Sequence, residues 1–451
     1  MLAGPKGTEN LVVRGARVVD PVEGVDAVID VRIDGGVIAQ LGEGLDTNEH
    51  RVVDAAGLTL APAFVDPHVH LRTPGREDEE TIATGTAAAA AGGYGAILAI
   101  PNTEPVVDDA EVLRALRARA DEEAAIPVGF LAAITKGQQG SELTEMGALA
   151  DAGAAGFTDD GRPVAAAGVM QRALQYNAVT GRTIAVHCEE ATLTRGGHAH
   201  AGVVAAELGI GPWPSLGESL MVARDLDLAA DTGQPVHLMH LSAHESVEHL
   251  RRALERGVAA SAEVTPHHLV LTDEAVRTLD PNMKMNPPLR AELDRQSLID
   301  ALRDGTIAAV ATDHAPHSAE EKDVTFEAAP FGVTGLETAF AALYTYLVQP
   351  GVIGLETAFA ALFTHLVEPG LLRLETLLER MSAGPARIFG LEPPKIAVGA
   401  RANLVLLNLD ATWRVREERF RSLSANSWLL GKRLHGEVTT TIAAGRVAFE
   451  A

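Results

Sequence analysis

Several histidines and aspartates of this chain stand where they could hold metal ions. His68 and His70 lie two residues apart in the string DPHVHLR, so on a β-strand both imidazoles point to the same face. The other candidates follow further apolar runs of the sequence: Asp160, His187, His240 and Asp313. Each one alone could be a buried structural histidine or a carboxylate that caps an element. Their shared position at the ends of different apolar runs favours a single metal site.

Imidazoles and carboxylates together suit Zn²⁺, with Mn²⁺ or Co²⁺ as substitutes. Four histidines and two aspartates are enough ligands for two ions bridged by a carboxylate. A hydroxide held between two such ions is nucleophilic at neutral pH, because the metals lower the pKa of the bound water. An amide-like C–N bond is a natural target, and Asp313 is well placed to carry the proton to the leaving nitrogen.

Eight β-like apolar runs must position these residues. They lie between residues 63 and 394 and alternate with helix-forming stretches or longer loops. In order, the runs are AFVDPHVHL, GAILAIPN, VGFLAAIT, AAGFTDD, RTIAVHCE, PVHLMHLS, AASAEVTPHHL and AAVATDHAPH. This alternation predicts an α/β fold, a (β/α)₈ barrel of the TIM type. Because the carboxyl ends of barrel strands share one face, the polar residues that end these runs should meet at one mouth.

The two ends of the chain have a different sequence pattern from the barrel region. Residues 1–62 and 395–451 contain short β-rich runs punctuated by Gly and Asp, as expected of small antiparallel strands. We therefore predict an N-terminal segment (1–62), a barrel (63–394) and a C-terminal segment (395–451). The first and last segments should pair in one small β-sandwich-like domain built from both termini.

The composition excludes several classes of protein. The chain has 451 residues, of which 47% are apolar and 22% charged, and this balance is typical of a soluble globular protein with a sizeable core. A formal charge of −24 argues against nucleic acid or an anionic membrane as the main partner. No uncharged apolar run reaches the ~18 residues of a transmembrane helix, and the N-terminus lacks a signal-peptide layout. The single cysteine, Cys188, cannot form an intrachain disulfide, so we expect a cytoplasmic protein.

A tandem duplication interrupts the end of the barrel region. Residues 332–350 (GVTGLETAFAALYTYLVQP) are followed at once by residues 351–369 (GVIGLETAFAALFTHLVEP), and 15 of the 19 positions are identical. Two copies are too few for a solenoid. We interpret the repeat as a local duplication that adds a surface helix or lengthens a loop, with a specific interface role as the alternative. The sequence leaves open which copy forms the barrel helix.

A series of motifs runs in order along nearly the whole chain: DPHVHLRTPG, AIPNTEPV, GFTDDG, AVHCEE, HLSAHESV, AEVTPHHL, KMNPPLR, ATDHAPH and APFGVTGLETAF. Together they resemble class I dihydroorotase of the amidohydrolase superfamily. The resemblance implies reversible cyclisation of N-carbamoyl-L-aspartate to L-dihydroorotate, a step of pyrimidine synthesis.

The same resemblance implies a binuclear zinc centre. Its ligands would be His68, His70 and Asp313 for one ion and His187 and His240 for the other, with Asp160 as the bridge. Asp313 would also be the general acid/base. Asp159 is less favoured as the bridge, because neighbouring residues alternate in direction along a strand.

Substrate contacts also follow from the resemblance. They would come from His70, Arg72, Asn102, Asn286 and His317, with backbone groups around Phe331 and Gly332 closing over the ring. Arg72 is chemically apt, because its planar guanidinium suits a carboxylate. Alternatively, Arg72 is a surface charge and Asn286, which precedes two prolines, is a turn residue.

Two other functions compete with this interpretation. One alternative is a related cyclic amidohydrolase, such as a hydantoinase or an allantoinase. These relatives typically bridge their metals with a carboxylated lysine on the fourth barrel strand. The candidate fourth strand of this chain, GAAGFTDD, contains no lysine. A non-catalytic structural partner of aspartate transcarbamoylase would have lost metal-binding histidines, and this chain keeps all four. A homodimer is plausible, as is an assembly with the transcarbamoylase.

Three other features near the motifs are interpreted as structural. The pair His267–His268 should support the site from behind or pack in the core. His314 and Cys188 each follow a proposed ligand directly, so on a strand their side chains should point away from it.

Overall fold

The predicted barrel runs form parallel strands whose side chains are mostly buried. The computed structural model describes residues 1–349 and 370–451. Its strands, in chain order, are β1 Leu11–Asp20, β2 Val25–Asp34, β3 Val37–Gly42, β4 Arg51–Asp54, β5 Thr59–Pro62, β6 Phe64–Val69, β7 Tyr94–Ala99, β8 Val128–Ala132, β9 Gly156–Phe157, β10 Thr183–Val186, β11 Ala199–His200, β12 Pro212–Trp213, β13 Val236–Leu238, β14 Ala260–Val264, β15 Ala309–Val310, β16 Leu404–Arg414, β17 Arg433–Ala443 and β18 Arg446–Glu450.

Helices follow most of the barrel strands. The α-helices of the described residues are Ile82–Ala91, Ala110–Glu123, Met146–Asp151, Ala167–Asn177, Ala191–Thr194, Val203–Leu208, Leu216–Thr232, His244–Glu255, Pro266–Val270, Glu292–Asp304, Ala319–Lys322, Ala339–Leu343, Leu374–Met381 and Ala383–Ile388. None of them combines the length and apolar character that crossing a membrane requires.

The barrel is a nearly closed ring of eight strands. Their order is β6-β7-β8-β9-β10-β13-β14-β15, and every neighbouring pair is parallel. The first and last strands meet beyond β15, where Val69 bridges His314 and the His70 amide donates to the His314 carbonyl at 2.9 Å. The predicted (β/α)₈ barrel is therefore confirmed, and the carboxyl ends of its strands define one mouth.

Strands from both chain ends form a second sheet, also as predicted. Its order is β18-β17-β16-β5-β1-β2-β3, with β4 paired to β1. The two termini join where β5 and β16 run antiparallel, with Pro62 opposite Leu404. Because β6 begins at Phe64, directly after β5, this sheet fixes the entrance to the first barrel strand.

The first copy of the duplication packs into the barrel. The Phe340 ring stacks on Phe64 of β6 at 5.5 Å between centroids, and Leu343 and Leu347 are buried in the same core. The chain returns after the repeat to the same place, where the Leu372 amide donates to the Leu347 carbonyl at 2.8 Å. Residues 351–369, the second copy, lie outside the described residues.

One part of the C-terminal segment leaves its sheet. Between β16 and β17, residues 415–432 run to the barrel mouth, where Trp428 and Leu429 are buried in one apolar cluster with Phe326 and Val333. This excursion was not predictable from the sequence, because residues 415–432 carry no regular apolar periodicity.

Candidate metal centre

The six predicted ligands all lie at the mouth of the barrel. His68 is in β6 and His70 follows it directly, while the others come one to three residues after the ends of four more strands: Asp160 after β9, His187 after β10, His240 after β13 and Asp313 after β15. All six residues are buried or nearly so. The parallel barrel thus brings together residues that are 245 positions apart in sequence.

The Asp160 carboxylate lies between two pairs of imidazoles. Its Oδ2 is 3.6 Å from Nε2 of both His68 and His70. Its Oδ1 is 3.4 Å from His187 Nδ1 and 3.4 Å from His240 Nε2. A carboxylate whose two oxygens face separate imidazole pairs has the geometry of a bridge between two cations.

Asp313 completes the group on the side of β6. Its Oδ1 lies 3.1 Å from His70 Nε2 and 3.3 Å from His68 Nε2. On the other side, His187 Nδ1 and His240 Nε2 approach each other to 2.9 Å. The ligand atoms of His68, His70 and Asp313 therefore lie close enough together to hold one ion, and Asp160 and His240 form a second such group with His68.

Asp159 points out of this centre. Its Oδ1 accepts hydrogen bonds from the Ile134 and Thr135 amides at 2.8 and 3.1 Å, and the Thr135 hydroxyl donates to its Oδ2. Burial raises the pKa of Asp159 to about 6, against these hydrogen bonds. Of the two neighbouring aspartates, only Asp160 faces the imidazoles.

Acceptors behind three of the imidazoles fix which ring nitrogen faces the centre. Glu263 Oε1 lies 2.8 Å from His68 Nδ1, Asn102 Oδ1 lies 3.0 Å from His70 Nδ1, and Glu189 Oε2 lies 3.0 Å from His187 Nε2. Such outer contacts hold a ligand histidine in one tautomer and orientation. One ring nitrogen of each of these three histidines is therefore already oriented toward the centre.

The carboxylates of the centre favour a positive charge among the imidazoles. Burial alone would lower the pKa of His68, but the Asp313 and Asp160 carboxylates hold it well above its ordinary value. Burial likewise opposes the rise at His187, where the neighbouring Asp160 and Glu189 carboxylates raise the pKa to about 10. Carboxylates that stabilise a proton on these rings would stabilise a divalent cation in its place.

The carboxylates show the complementary shift. Burial would raise the pKa of Asp160, yet His68, His187 and His240 hold it well below its usual range. For Asp313 too, the neighbouring imidazoles outweigh burial and lower the pKa. Both groups are therefore carboxylates at neutral pH, as metal ligands must be.

Two atoms at the centre of this group have no hydrogen-bond partner. They are His68 Nε2 and Asp160 Oδ1, both buried. A buried polar atom without a partner costs free energy that a bound cation would recover. The donor set, the convergence and these orphaned atoms together fit divalent metal ions.

Two of the predicted ligands have a strained backbone conformation. His240 has φ 31° and Asp313 has φ 49°, both in the left-handed region that side chains other than glycine rarely adopt. Arg72, two residues after His70, has φ 54°. Outliers of this kind collect at functional sites, where the surrounding structure holds them.

A basic wall stands beside the centre. Arg72 Nε forms an ion pair with Glu79 Oε2 at 2.9 Å, and its Nη2 lies 3.4 Å from His317 Nε2. His317 Nδ1 faces Glu79 Oε1 at 3.2 Å, while its Nε2 faces the Phe331 carbonyl at 2.8 Å. Glu79 thus holds the Arg72 guanidinium and the His317 ring side by side.

The other predicted substrate residues lie around this wall. Asn102 contacts His70, as described above. Asn286 donates weakly to Glu189 Oε2 at 3.5 Å, and its buried Oδ1 has no hydrogen-bond partner. Gly332 has φ 114°, and a Cβ there would lie 2.6 Å from the Ala315 Cβ, so the chain requires glycine at this position.

Two buried lysines fasten the loop that carries Phe331 and Gly332. Lys284 Nζ donates to the Glu327 and Ala329 carbonyls at 2.8 and 2.7 Å and lies 4.5 Å from the centre of the Phe331 ring. Lys322 Nζ donates to the Pro330 carbonyl at 2.9 Å. The loop is therefore held in place over the mouth.

The residues interpreted as structural are all buried. His268 bonds Thr265 Oγ1 and the Pro287 carbonyl, and burial lowers its pKa to about 3. His314 turns from the mouth to Glu80 Oε2 at 3.1 Å, as expected, and Cys188 belongs to the main core. His267 differs, because its buried Nε2 has no hydrogen-bond partner.

Acidic residues that were not predicted from the sequence support the centre. Glu263 bridges His68 and His237, with Oε2 at 3.0 Å from His237 Nε2. Burial would raise the pKa of Glu263, but these two histidines lower it to about 2. A signal existed: the run ASAEV places a carboxylate in a barrel strand, where it needs a buried partner. Glu79 and Glu189, in contrast, lie in loops without any pattern.

Known proteins resemble this chain over nearly its full length. Residues 57–246 match the family described as Dihydro-orotase-like. A dihydroorotase of Caldanaerobacter subterraneus is 40% identical over 98% of this chain and 97% of its own. A dihydroorotase of Pelotomaculum thermopropionicum is 42% identical over 98% of both chains.

Solved structures share the fold. The L-hydantoinase (dihydropyrimidinase) of Arthrobacter aurescens superposes with a TM-score of 0.84 and 25% identity, over 98% of this chain and 96% of its own. The dihydropyrimidinase of Brevibacillus agri superposes with a TM-score of 0.79 and 22% identity, over 97% and 94%. At this identity the second likeness concerns the fold alone.

Proposed function

This chain belongs to the dihydroorotase family, and from that premise we propose that it is a class I dihydroorotase that interconverts N-carbamoyl-L-aspartate and L-dihydroorotate in pyrimidine synthesis. The observation that carries the proposal is the Asp160 carboxylate, whose two oxygens face two separate pairs of imidazoles. The relatives named dihydroorotase, at 40 and 42% identity, support the same substrate.

The centre would hold two divalent ions, and its imidazole and carboxylate donors suit zinc best, with manganese or cobalt as substitutes. One ion would be bound by His68, His70 and Asp313 and the other by His187 and His240, with Asp160 shared. When bound, such ions activate water as a nucleophile and polarise the carbonyl that it attacks. Asn102, Glu189 and Glu263 would keep the imidazoles aimed.

Asp313 would move the proton. Ring opening of L-dihydroorotate forms a C–O bond at the ring carbonyl and breaks the C–N bond of the ring amide. The proton lost by the attacking water passes to the Asp313 carboxylate and from there to the leaving nitrogen, and cyclisation runs the same transfers in reverse. Its Oδ1 already faces His68 and His70, which leaves Oδ2 as the oxygen that carries the proton.

The basic wall would bind the substrate carboxylate that does not react. Arg72 would provide a positive charge and His317 a hydrogen bond, and Glu79 would hold both side chains in place. Asn102 and Asn286 would add hydrogen bonds, and the Phe331–Gly332 backbone would cover the ring. The guanidinium suits this task because its planar N–H groups match a carboxylate.

A hydantoinase-type activity is the second candidate, supported by the structural likeness to the Arthrobacter enzyme. The two are separated by assaying the purified chain with N-carbamoyl-L-aspartate, L-dihydroorotate, hydantoin and allantoin. We expect turnover of the first two at least about a hundredfold faster than of the others, because the basic wall requires a carboxylate. Preferential turnover of hydantoin or allantoin would overturn the proposal.

Association with other chains stays a prediction. A homodimer, an assembly with aspartate transcarbamoylase and a cytoplasmic location were all expected from the sequence. Light scattering of the purified chain, alone and mixed with the transcarbamoylase, tests the first two.

A further inference from the structure

The excursion between β16 and β17 reaches the substrate side of the mouth. Residues 415–432 leave the terminal sheet, and Trp428 and Leu429 are packed beneath the loop that carries Phe331. The excursion also bonds to that loop through its backbone, where the Thr334 amide donates to the Asn426 carbonyl at 2.9 Å. The C-terminal segment is therefore part of the mouth as well as of the sheet.

One side chain of the excursion joins two stretches of backbone beside the basic wall. Asn426 Oδ1 accepts a hydrogen bond from the His317 amide at 3.1 Å. Its Nδ2 donates to the Ala315 carbonyl at 3.1 Å and to the Gly332 carbonyl at 3.3 Å. The residue is buried, with 7% of its surface exposed. The side-chain oxygen and nitrogen of Asn426 thus fix the backbone positions of His317 and Gly332.

Serines of the same excursion hold the acidic partner of the wall. Ser424 Oγ donates to the Glu79 carbonyl at 2.7 Å, and Ser422 Oγ donates to Glu80 Oε2 at 2.5 Å. Glu79 is the residue that pairs with both Arg72 and His317. The excursion therefore anchors the wall from two independent points, the amide of Asn426 and the hydroxyl of Ser424.

We infer that Asn426 is a positioning residue for substrate binding, which sets His317 and the Gly332 backbone against the substrate carboxylate without touching the substrate. This inference rests on the proposed function, because it concerns the same site. It assigns the C-terminal segment a role in specificity that the barrel alone does not supply. Its amide contacts the backbone of two residues that are predicted to bind the substrate, His317 and Gly332.

The test is the isosteric variant Asn426→Asp. It keeps the acceptor for the His317 amide but replaces the donor with an oxygen that repels the Ala315 and Gly332 carbonyls. We expect KM for N-carbamoyl-L-aspartate and for L-dihydroorotate to rise about tenfold or more, with a smaller change in kcat and an unchanged metal content. Asn408→Asp is the matched control, because Asn408 Oδ1 accepts from two amides within the same C-terminal segment, far from the mouth.

The outcomes separate a positioning role from a structural one. A KM within about twofold of the unmodified chain, or a lower active fraction at unchanged KM, would overturn the inference. If Asn426→Asp is insoluble, Asn426→Ala removes all three side-chain hydrogen bonds without adding a charge, and an unchanged KM in that variant overturns the inference instead. An unmodified chain that fails to turn over either substrate would contradict the proposed function, which is a different result.

Discussion

We propose two roles for the Asp313 side chain, because its carboxylate faces the imidazoles of His68 and His70 and would also carry the proton. We predict that Asp313→Ala abolishes turnover. Loss of a general acid/base alone costs about a hundred- to ten-thousandfold, and loss of a ligand adds to it. Rates and metal content are measured on the same sample. More than a few per cent of the rate with metal still bound would refute the double role.

Glu263 acts behind the ligands and should affect metal affinity rather than chemistry. We predict that Glu263→Gln weakens metal binding by about ten- to a hundredfold, because it loosens the tautomer and orientation of His68. Activity should return when metal is added in excess. Asp225→Asn is the control, a buried aspartate paired with Arg224. Equal metal affinity in Glu263→Gln and the unmodified chain would show that His68 needs no such partner.

Arg72 should affect substrate binding more than chemistry. In Arg72→Ala the basic wall loses its guanidinium, so KM should rise by about a hundredfold while kcat changes less. Arg72→Lys should restore this only in part, because an ammonium cannot reproduce the planar contacts to Glu79 and a carboxylate. An unchanged KM in Arg72→Ala would count against the wall as the carboxylate site.

At the scale of elements, the sequence was most informative where apolar runs end in polar residues. All eight predicted barrel runs contain observed strands. Each run joins a buried apolar stretch to a polar residue near the carboxyl end of the strand. The excursion of residues 415–432 could not be predicted in this way. Its contacts, such as those of Asn426, are single hydrogen bonds to backbone about a hundred residues away, and these leave no periodicity in the sequence.

The duplicated element gives the prediction that belongs to this scale. The first copy already fills the position next to β6, and the chain on both sides of residues 350–369 meets at Leu347 and Leu372. We therefore expect deletion of residues 351–369 to leave a soluble, active protein, with Tm changed by about 2 °C or less. Deletion of residues 332–350 gives nearly the same chain, since the copies differ at four of 19 positions, and is the matched comparison.

The contrary result would be informative too. Loss of soluble, active protein on deletion of residues 351–369 would show that the second copy is structural. Loss on deletion of residues 332–350 alone would point to the four differing positions. One of them is Thr334, whose hydroxyl donates to the Asn426 carbonyl at 3.4 Å and is replaced by isoleucine in the second copy.

At the scale of the whole molecule, strands from both termini form one sheet next to the first barrel strand. The C-terminal segment then extends from this sheet to the barrel mouth. The sequence predicted the shared sheet, because both ends carry the same β-rich texture, but it could not show that residues far along the chain support the basic wall. The charge has a consequence here as well. A chain of net charge −24 that binds an anionic substrate needs a positive charge placed at the binding site, and Arg72 offers one beside the centre.

The most direct test of this account is cyclisation of N-carbamoyl-L-aspartate by the purified chain alone, with metal content determined on the same sample. The account predicts turnover with close to two divalent ions per chain, and loss of turnover when a chelator removes them. Turnover that persists in a metal-free sample, or none when two ions are bound, would contradict it. In the second case, adding aspartate transcarbamoylase would distinguish a missing partner from a centre that does not work.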